Sequence, residues 1–348
     1  MKFLLLCLHC ITASVALRTM TMRAPQNSPL TQQLQGVANT CRKTAAFRSL
    51  SHLLAEDPVA AVLAGEEKVK EVQALIDSMP SRAAAQNLRE GFAVRSEWIN
   101  RELQSYLALY EDITQVVLLG AGMDTRAYTL PFLKDCHVFE VDLQEVILLK
   151  EKLLRRHKFP LAAKSIARVS ADLCDPTAEW VQRLKYRGYN PDLRTVFIFE
   201  GICYYLTVAE GDSLLKQCFT IAAPSSVMIA DTMSTGFEPG SECEATPYLR
   251  KHAMDDPFEY LQKLGFKRVK VAQPGKEANF GMLDTSVPAF MLGDRWPCSY
   301  PLSQKTDENG KKICRFFLVS AMTGPRFGDW WRKIQISKRM WNEHFQVY

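Results

Sequence analysis

Two glycines and three acids, each at the end of a short apolar run, carry the chemistry of this chain. Val116-Val117-Leu118-Leu119 reads as a buried strand that stops at the turn Gly120-Ala121-Gly122. Asp124, Thr125 and Arg126 stand where the next helix opens. Twenty residues past Gly122, Asp142 closes a second apolar run, Val138 to Asp142. Strand, glycine turn, helix, strand, acid is the layout that holds an adenosine-containing cofactor. Asp172-Leu173 closes a third run, where an acid can accept from the exocyclic amine of adenine while the leucine packs on the ring. Glu200 closes a fourth. Taken singly, each acid reads equally well as a helix cap or loop acid. Three of them opening onto one crevice weaken that alternative.

The type of cofactor follows from what the turn lacks. A dinucleotide site uses a third small residue for close helix packing and leaves the helix N-terminus to a pyrophosphate. Here the third position is Thr125, and Asp124 sits beside the helix start. A carboxylate there repels a pyrophosphate but tolerates the ammonium of an amino-acid end, which tilts the choice toward S-adenosylmethionine. Asp124 serves as well as a simple N-terminal cap.

The surrounding elements position these groups. Runs at about 116–119, 138–142, 166–170, 195–199 and 226–230 read as strands, the last capped by Asp231. Helical patterns lie between them, over 125–133, 144–157, around Trp180 and Leu184, and over 210–222. Alternation at this spacing predicts a doubly wound, mostly parallel sheet. Before it, helical patterns over 32–63 in patches, 66–79 and 83–110 form a preface expected to pack over the cofactor mouth. Beyond it come a quiet segment, 232–257, that reads as a lid or substrate loop, a helix over 257–264, and strands at 266–272 and 314–322 expected to add antiparallel edges.

Composition excludes some roles. Of 348 residues, 47% are hydrophobic and 23% charged, which suits a large globular core. The net charge is +5, and Lys2, Arg18 and Arg23 supply three of those charges, so the body gives no argument for nucleic acid. Ten scattered cysteines form no metal-ligand cluster and no disulfide-dense scaffold, which fits a reducing compartment. Residues 1–31 look like a targeting leader: Phe3 to Leu8 is apolar, too short for a stable membrane span, and Ser14-Val15-Ala16 offers a cleavage site. That leader points to the endoplasmic reticulum, for secretion or onward transfer to a plastid. Without a working leader the chain stays cytoplasmic. Nothing in the sequence indicates an oligomeric state.

Gly120-Ala121-Gly122-Met123-Asp124-Thr125-Arg126, Phe139-Glu140-Val141-Asp142, Asp172-Leu173 and Glu200-Gly201 with Tyr205-Leu206-Thr207 resemble the leucine carboxyl methyltransferase family. They are most similar to its bacterial branch of S-adenosylmethionine-dependent methyltransferases. The resemblance covers about residues 41–272 and includes Glu56-Asp57-Pro58-Val59-Ala60. It implies an α/β fold, class I methyltransferase-like, with an N-terminal helical extension and an antiparallel C-terminal edge. It implies one domain over 32–348: helical cap 32–110, cofactor core 111–231, lid and last strands 232–348. By resemblance Arg95 holds the cofactor carboxylate, Gly120 and Gly122 let the backbone approach it, and Asp142 takes the ribose. Asp172 and Leu173 then hold adenine, and Glu200 faces the amino group. Without the resemblance Arg95 is a surface helix arginine.

The acceptor half departs from the family, with Ile202-Cys203-Tyr204-Tyr205 in place of an aliphatic run. Tyr204, Tyr205 and Arg250 are the expected acceptor wall and His252 the best general base, although such a histidine is also an ordinary loop residue. The scarcity of bases favours a carboxyl or sulfur acceptor on a small molecule over a hydroxyl. Protein C-terminal carboxyl methylation is the alternative. A nicotinamide-dependent oxidoreductase and a non-catalytic cofactor-binding module remain behind it.

Overall fold

The computed structural model describes residues 29–234, 253–275, 277–284 and 316–324, without the side chains of 29–35 and Tyr204. The proposed leader, Arg250, His252 and most of the 232–257 segment lie outside the described residues.

The N-terminal preface is four helices. The first, α1 (Pro29–Leu50), is one continuous helix rather than patches. α2 (Pro58–Ala64) starts at Pro58, whose missing N–H costs nothing there, and Asp57 caps it by accepting from the Ala60 N–H at 2.8 Å. Gly65, at φ 80°, ends α2 and starts α3 (Glu66–Asp77). Ser81 caps α4 (Arg82–Leu109), which buries Val94, Trp98, Ile99 and Leu103 along one face.

The core is a seven-stranded sheet of β1 (Gln115–Leu119), β2 (His137–Asp142), β3 (Ser165–Ser170), β4 (Thr195–Phe199), β5 (Val227–Met233), β6 (Lys267–Ala272) and β7 (Phe316–Met322). Its order is β3-β2-β1-β4-β5-β7-β6, with β7 antiparallel to both neighbours and the other adjacent pairs parallel. β1 and β4 are buried at every position, as strands covered on both faces must be. Side chains alternate between two cores. Val117, Phe139 and Phe197 face α7 (Glu179–Tyr186), α8 (Val208–Ile221) and α9 (Pro257–Lys263). Val116, Val138 and Val196 face α4. The doubly wound sheet and its helical extension are as the sequence implies.

The structure refines three expectations. The antiparallel strand is not the outer edge: β7 slots between β5 and β6, and β6, parallel to the rest, is the rim. The helix expected over 125–133 splits into α5 (Arg126–Thr129) and a 3-10 turn, Pro131–Leu133, because proline supplies no N–H and disfavours helical backbone before it. Asp231 does not cap β5; it lies inside that strand, fully buried.

Candidate cofactor and active site

The C-terminal ends of β1, β2, β3 and β4 open into one cavity of about 320 Å³. Such a volume lies within the roughly 300–1,000 Å³ usual for small-molecule clefts. The glycine turn forms its floor. The N–H groups of Gly120 and Ala121 donate to the Val141 carbonyl at 2.9 and 3.1 Å, tying the turn to β2. Gly120 has φ +67°, and a Cβ there would stand 2.8 Å from Ile202 Cδ1. Gly120→Ala therefore combines left-handed strain with a clash, and is expected to cost about 1–3 kcal/mol in thermal unfolding. Adding Ile202→Val, which removes the clashing methyl, should recover part of the loss. An unchanged melting temperature in the single variant would contradict this packing.

Asp142 lies at the turn's side. Its Oδ2 accepts from the Gly122 N–H at 2.6 Å and its Oδ1 from the Leu143 N–H at 2.7 Å. Burial pushes its carboxyl up to about 6, against the pull of those two N–H groups. Glu140, on the same face of β2, does not reach the cavity: Lys150 Nζ at 2.7 Å and Arg168 Nε at 2.8 Å hold it in the core. Asp172 stands exposed at the rim, accepting from the Cys174 N–H at 2.8 Å, and Leu173 is buried beside it.

Glu200 sits on the other side of the turn, in a buried chain of alternating charge. Arg95 Nε and the Ser96 hydroxyl donate to its Oε1 at 3.0 and 2.6 Å, and Arg126 donates to its Oε2. Arg126 also pairs with Asp124, and Arg95 Nη1 lies 3.4 Å from Asp231. Asp231 Oδ1 accepts from the Gly201 N–H at 2.6 Å. Burial alone would raise the Glu200 carboxyl, but Arg126, Arg95 and Arg48 outweigh it and hold it far below the ordinary carboxylate range. Asp124, one position before the N-cap Thr125, also accepts from the Arg126 N–H at 2.8 Å at the start of α5, and it lines the cavity at once.

The roof is α1. Val37, Thr40, Cys41, Thr44 and Arg48 recur at helical spacing and line the cavity. Burial pushes the Cys41 thiol up to about 12, and the Asp142 charge adds to this, so it stays protonated. Tyr205 and Leu206 close the far wall.

The structure thus brings together Arg95, Gly120, Gly122, Asp142, Asp172, Leu173, Glu200 and Tyr205, all singled out from the sequence. The Tyr204 side chain, Arg250 and His252 lie outside the described residues. Sequence reasoning missed Arg48, Cys41, Arg126 as the second partner of Glu200, and Asp231 as a buried anchor. The recurrence of 37, 40, 41, 44 and 48 was the signal for the first two.

Comparison with known proteins gives these residues a context. A protein of Mycobacterium sp. (strain JLS), named "Putative S-adenosyl-L-methionine-dependent methyltransferase", is 36% identical over 182 residues, covering 51% of this chain and 66% of that protein. A likewise named protein of Parafrankia sp. (strain EAN1pec) is 32% identical over 172 residues, covering 49% of this chain and 54% of its own length. The chain thus spans less than two thirds of the length of either relative. The profile of the leucine carboxyl methyltransferase family matches residues 37–219, from the α1 roof through β4 and the Glu200 end of the cavity into α8. With more than half of its residues inside that match, this chain belongs to the leucine carboxyl methyltransferase family.

Proposed function

We propose that the protein is an S-adenosylmethionine-dependent methyltransferase. The observation that carries this reading is the pair of acids across the glycine turn, Asp142 on β2 and Glu200 after β4, opening into one cavity. The charge balance supports it. Asp124, Asp142, Glu200 and the rim acid Asp172 line that cavity with Arg48 and Arg95, while Arg126 and Asp231 pair with lining charges from outside the lining. An excess of acid suits a ligand with net positive charge, as a sulfonium with a zwitterionic end has, and opposes a pyrophosphate.

In this reading the two Asp142 oxygens, already fixed by backbone N–H groups, accept from the ribose hydroxyls. Leu173 packs on adenine, Asp172 accepts from its amine, and Glu200 faces the ammonium near Arg95. Bound there, the cofactor supplies an electrophilic methyl group. The protein aligns donor and acceptor and excludes water, which is what an in-line displacement chiefly needs. For the acceptor side the sequence offers Tyr204, Tyr205, Arg250 and His252, of which Tyr205 lines the cavity. We favour a carboxylate or sulfur acceptor, because neither needs a base. The family is named for a leucine carboxyl, and that description favours a second form of this reading, a peptide C-terminal carboxylate.

Calorimetric titration of the full chain with S-adenosylmethionine, S-adenosylhomocysteine and NAD tests the proposal. Binding of the first two is the expected result, and binding of NAD alone would sink it. Labelled-methyl transfer to small acids, thioethers and leucine-ending peptides then separates the acceptors. We also propose that residues 1–31 direct the chain to the endoplasmic reticulum. A fluorescent fusion of residues 1–40 that stays diffuse in the cytosol would rule this out.

A further inference from the structure

A local charge imbalance lies at the pole of the sheet opposite the cavity. The cavity opens at the C-terminal ends of parallel strands, so the segments that lead into those strands gather at the other pole. One of them runs from α6 (Gln144–Leu154) to β3. Between 151 and 164 it carries Lys152, Arg155, Arg156, Lys158 and Lys164 against one acid, Glu151. All five cations are exposed, and none forms an ion pair among the described residues. Cations on other exposed helix faces do pair: Lys70 with Glu66, Arg183 with Glu179 and Lys263 with Glu259. A helix C-terminus favours cations in its last turn, which accounts for Lys152 and Arg155 but not for the three beyond it.

Backbone bonds anchor this segment. The N–H groups of Ala162 and Ala163 both donate to the Ala127 carbonyl at 2.9 Å, and the Lys164 N–H donates to the Cys136 carbonyl at 3.0 Å. Its tip is apolar: the His157 ring stacks on Phe159 at 5.5 Å, and Leu161 is 43% exposed. On the other face of the sheet, α7 ends at the same pole with Tyr186 90% exposed, between the exposed cations Lys185 and Arg187. An exposed leucine among cations gains little from a phosphodiester chain. A bilayer interface buries it while the cations stay among the headgroups. We propose that this pole is a docking surface for an anionic lipid bilayer. Arg155, Arg156 and Lys158 meet the headgroup anions, and Leu161 and Tyr186 enter the interface. Docked this way, the protein turns its cavity away from the bilayer, toward acceptors in the water.

Co-sedimentation of the full-length protein with two kinds of vesicle tests the proposal, phosphatidylcholine alone and phosphatidylcholine mixed with phosphatidylserine. Wild type should bind the mixed vesicles at least about tenfold better and lose that margin at about 1 M salt, where charges are screened within about 3 Å. A cation near such a surface contributes about fivefold, so Arg155→Glu/Arg156→Glu/Lys158→Glu should lose roughly 100-fold on mixed vesicles. Leu161→Ser should lose about three- to tenfold. Lys70→Glu/Lys216→Glu/Lys263→Glu removes the same charge from other exposed helix positions and should bind nearly as wild type does. Melting curves matching wild type show that both triple variants are folded. Residues 1–31 are common to every chain compared, so any affinity of theirs for lipid cancels. Three results would overturn the proposal: equal binding of wild type to the two vesicles, equal losses in the two triple variants, or binding of oligouridylate or polyglutamate with none to mixed vesicles.

Discussion

Asp142→Asn should weaken S-adenosylmethionine binding about 100-fold, while leaving the ligand-free protein no less stable near pH 7. The loss follows from replacing an ionised acceptor for two ribose hydroxyls by a neutral amide, with charged hydrogen bonds worth about 1.5–3 kcal/mol each. The stability effect follows from the carboxyl itself, pushed up to about 6 by burial from an ordinary value of 3.8. Between these values the folded chain binds more protons than the unfolded one. Stability is therefore highest below the ordinary value and is lost as pH rises toward 6, by about 3 kcal/mol in total at 1.36 kcal/mol per unit. The asparagine variant escapes that cost but keeps only one oxygen for the Gly122 and Leu143 N–H groups, so its gain at pH 7 should be about 1 kcal/mol, should vanish at about pH 5 and should turn into a loss of about 1 kcal/mol near pH 4. For the same reason, wild-type cofactor affinity should fall about tenfold per unit below pH 6. Titrations at pH 5, 6, 7 and 8 with parallel melting curves check both statements. An affinity flat across that range would show that Asp142 does not bind in its ionised form.

Arg126→Met carries the second large expectation, a loss of about 3–5 kcal/mol in urea unfolding. Arg126 is 5% exposed and bridges Asp124 and Glu200, and its Nε donates to Asn100 at 2.7 Å. Burial disfavours its charge, but the two acids outweigh this and keep it protonated. Methionine leaves Asp124 without its cation and Glu200 with Arg95 as its remaining ion pair among the described residues. Lys70→Ala is the control: Lys70 pairs with Glu66 on an exposed helix face and should cost no more than about 0.5 kcal/mol. If the two variants cost the same, the buried charge chain does not hold the site together.

Much of the donor half was legible because it is local. β4 falls where its unbroken apolar run puts it, and the glycine turn with an acid twenty residues on needs only one strand–helix–strand unit. Contacts between distant segments were not legible. Nothing near Asp231 in sequence says that its partners are Gly201 and Arg95, so its place after an apolar run reads as a cap. Arg48 lies 75 positions from the carbonyl that anchors it. The insertion of β7 is equally invisible, because the 314–322 run looks the same whether it pairs at an edge or between two strands.

That insertion imposes an order on assembly. Through residue 284 the growing chain already contains β1 to β6, yet among the described residues β5 lacks a partner on one side and β6 has no sheet partner. Bare strand edges invite pairing with other chains. The rim can be sealed only when residues 316–322 arrive and fill a slot one strand wide, matching two registers at once, Ala230 to Val319 on one side and Val271 to Val319 on the other. Contacts this far apart in sequence form slowly. The cofactor half, built from β1 to β4, has no such wait. Synthesis therefore passes through a stage in which the donor end is complete while the opposite flank still exposes unpaired backbone, the stage at which this protein is most open to misassembly.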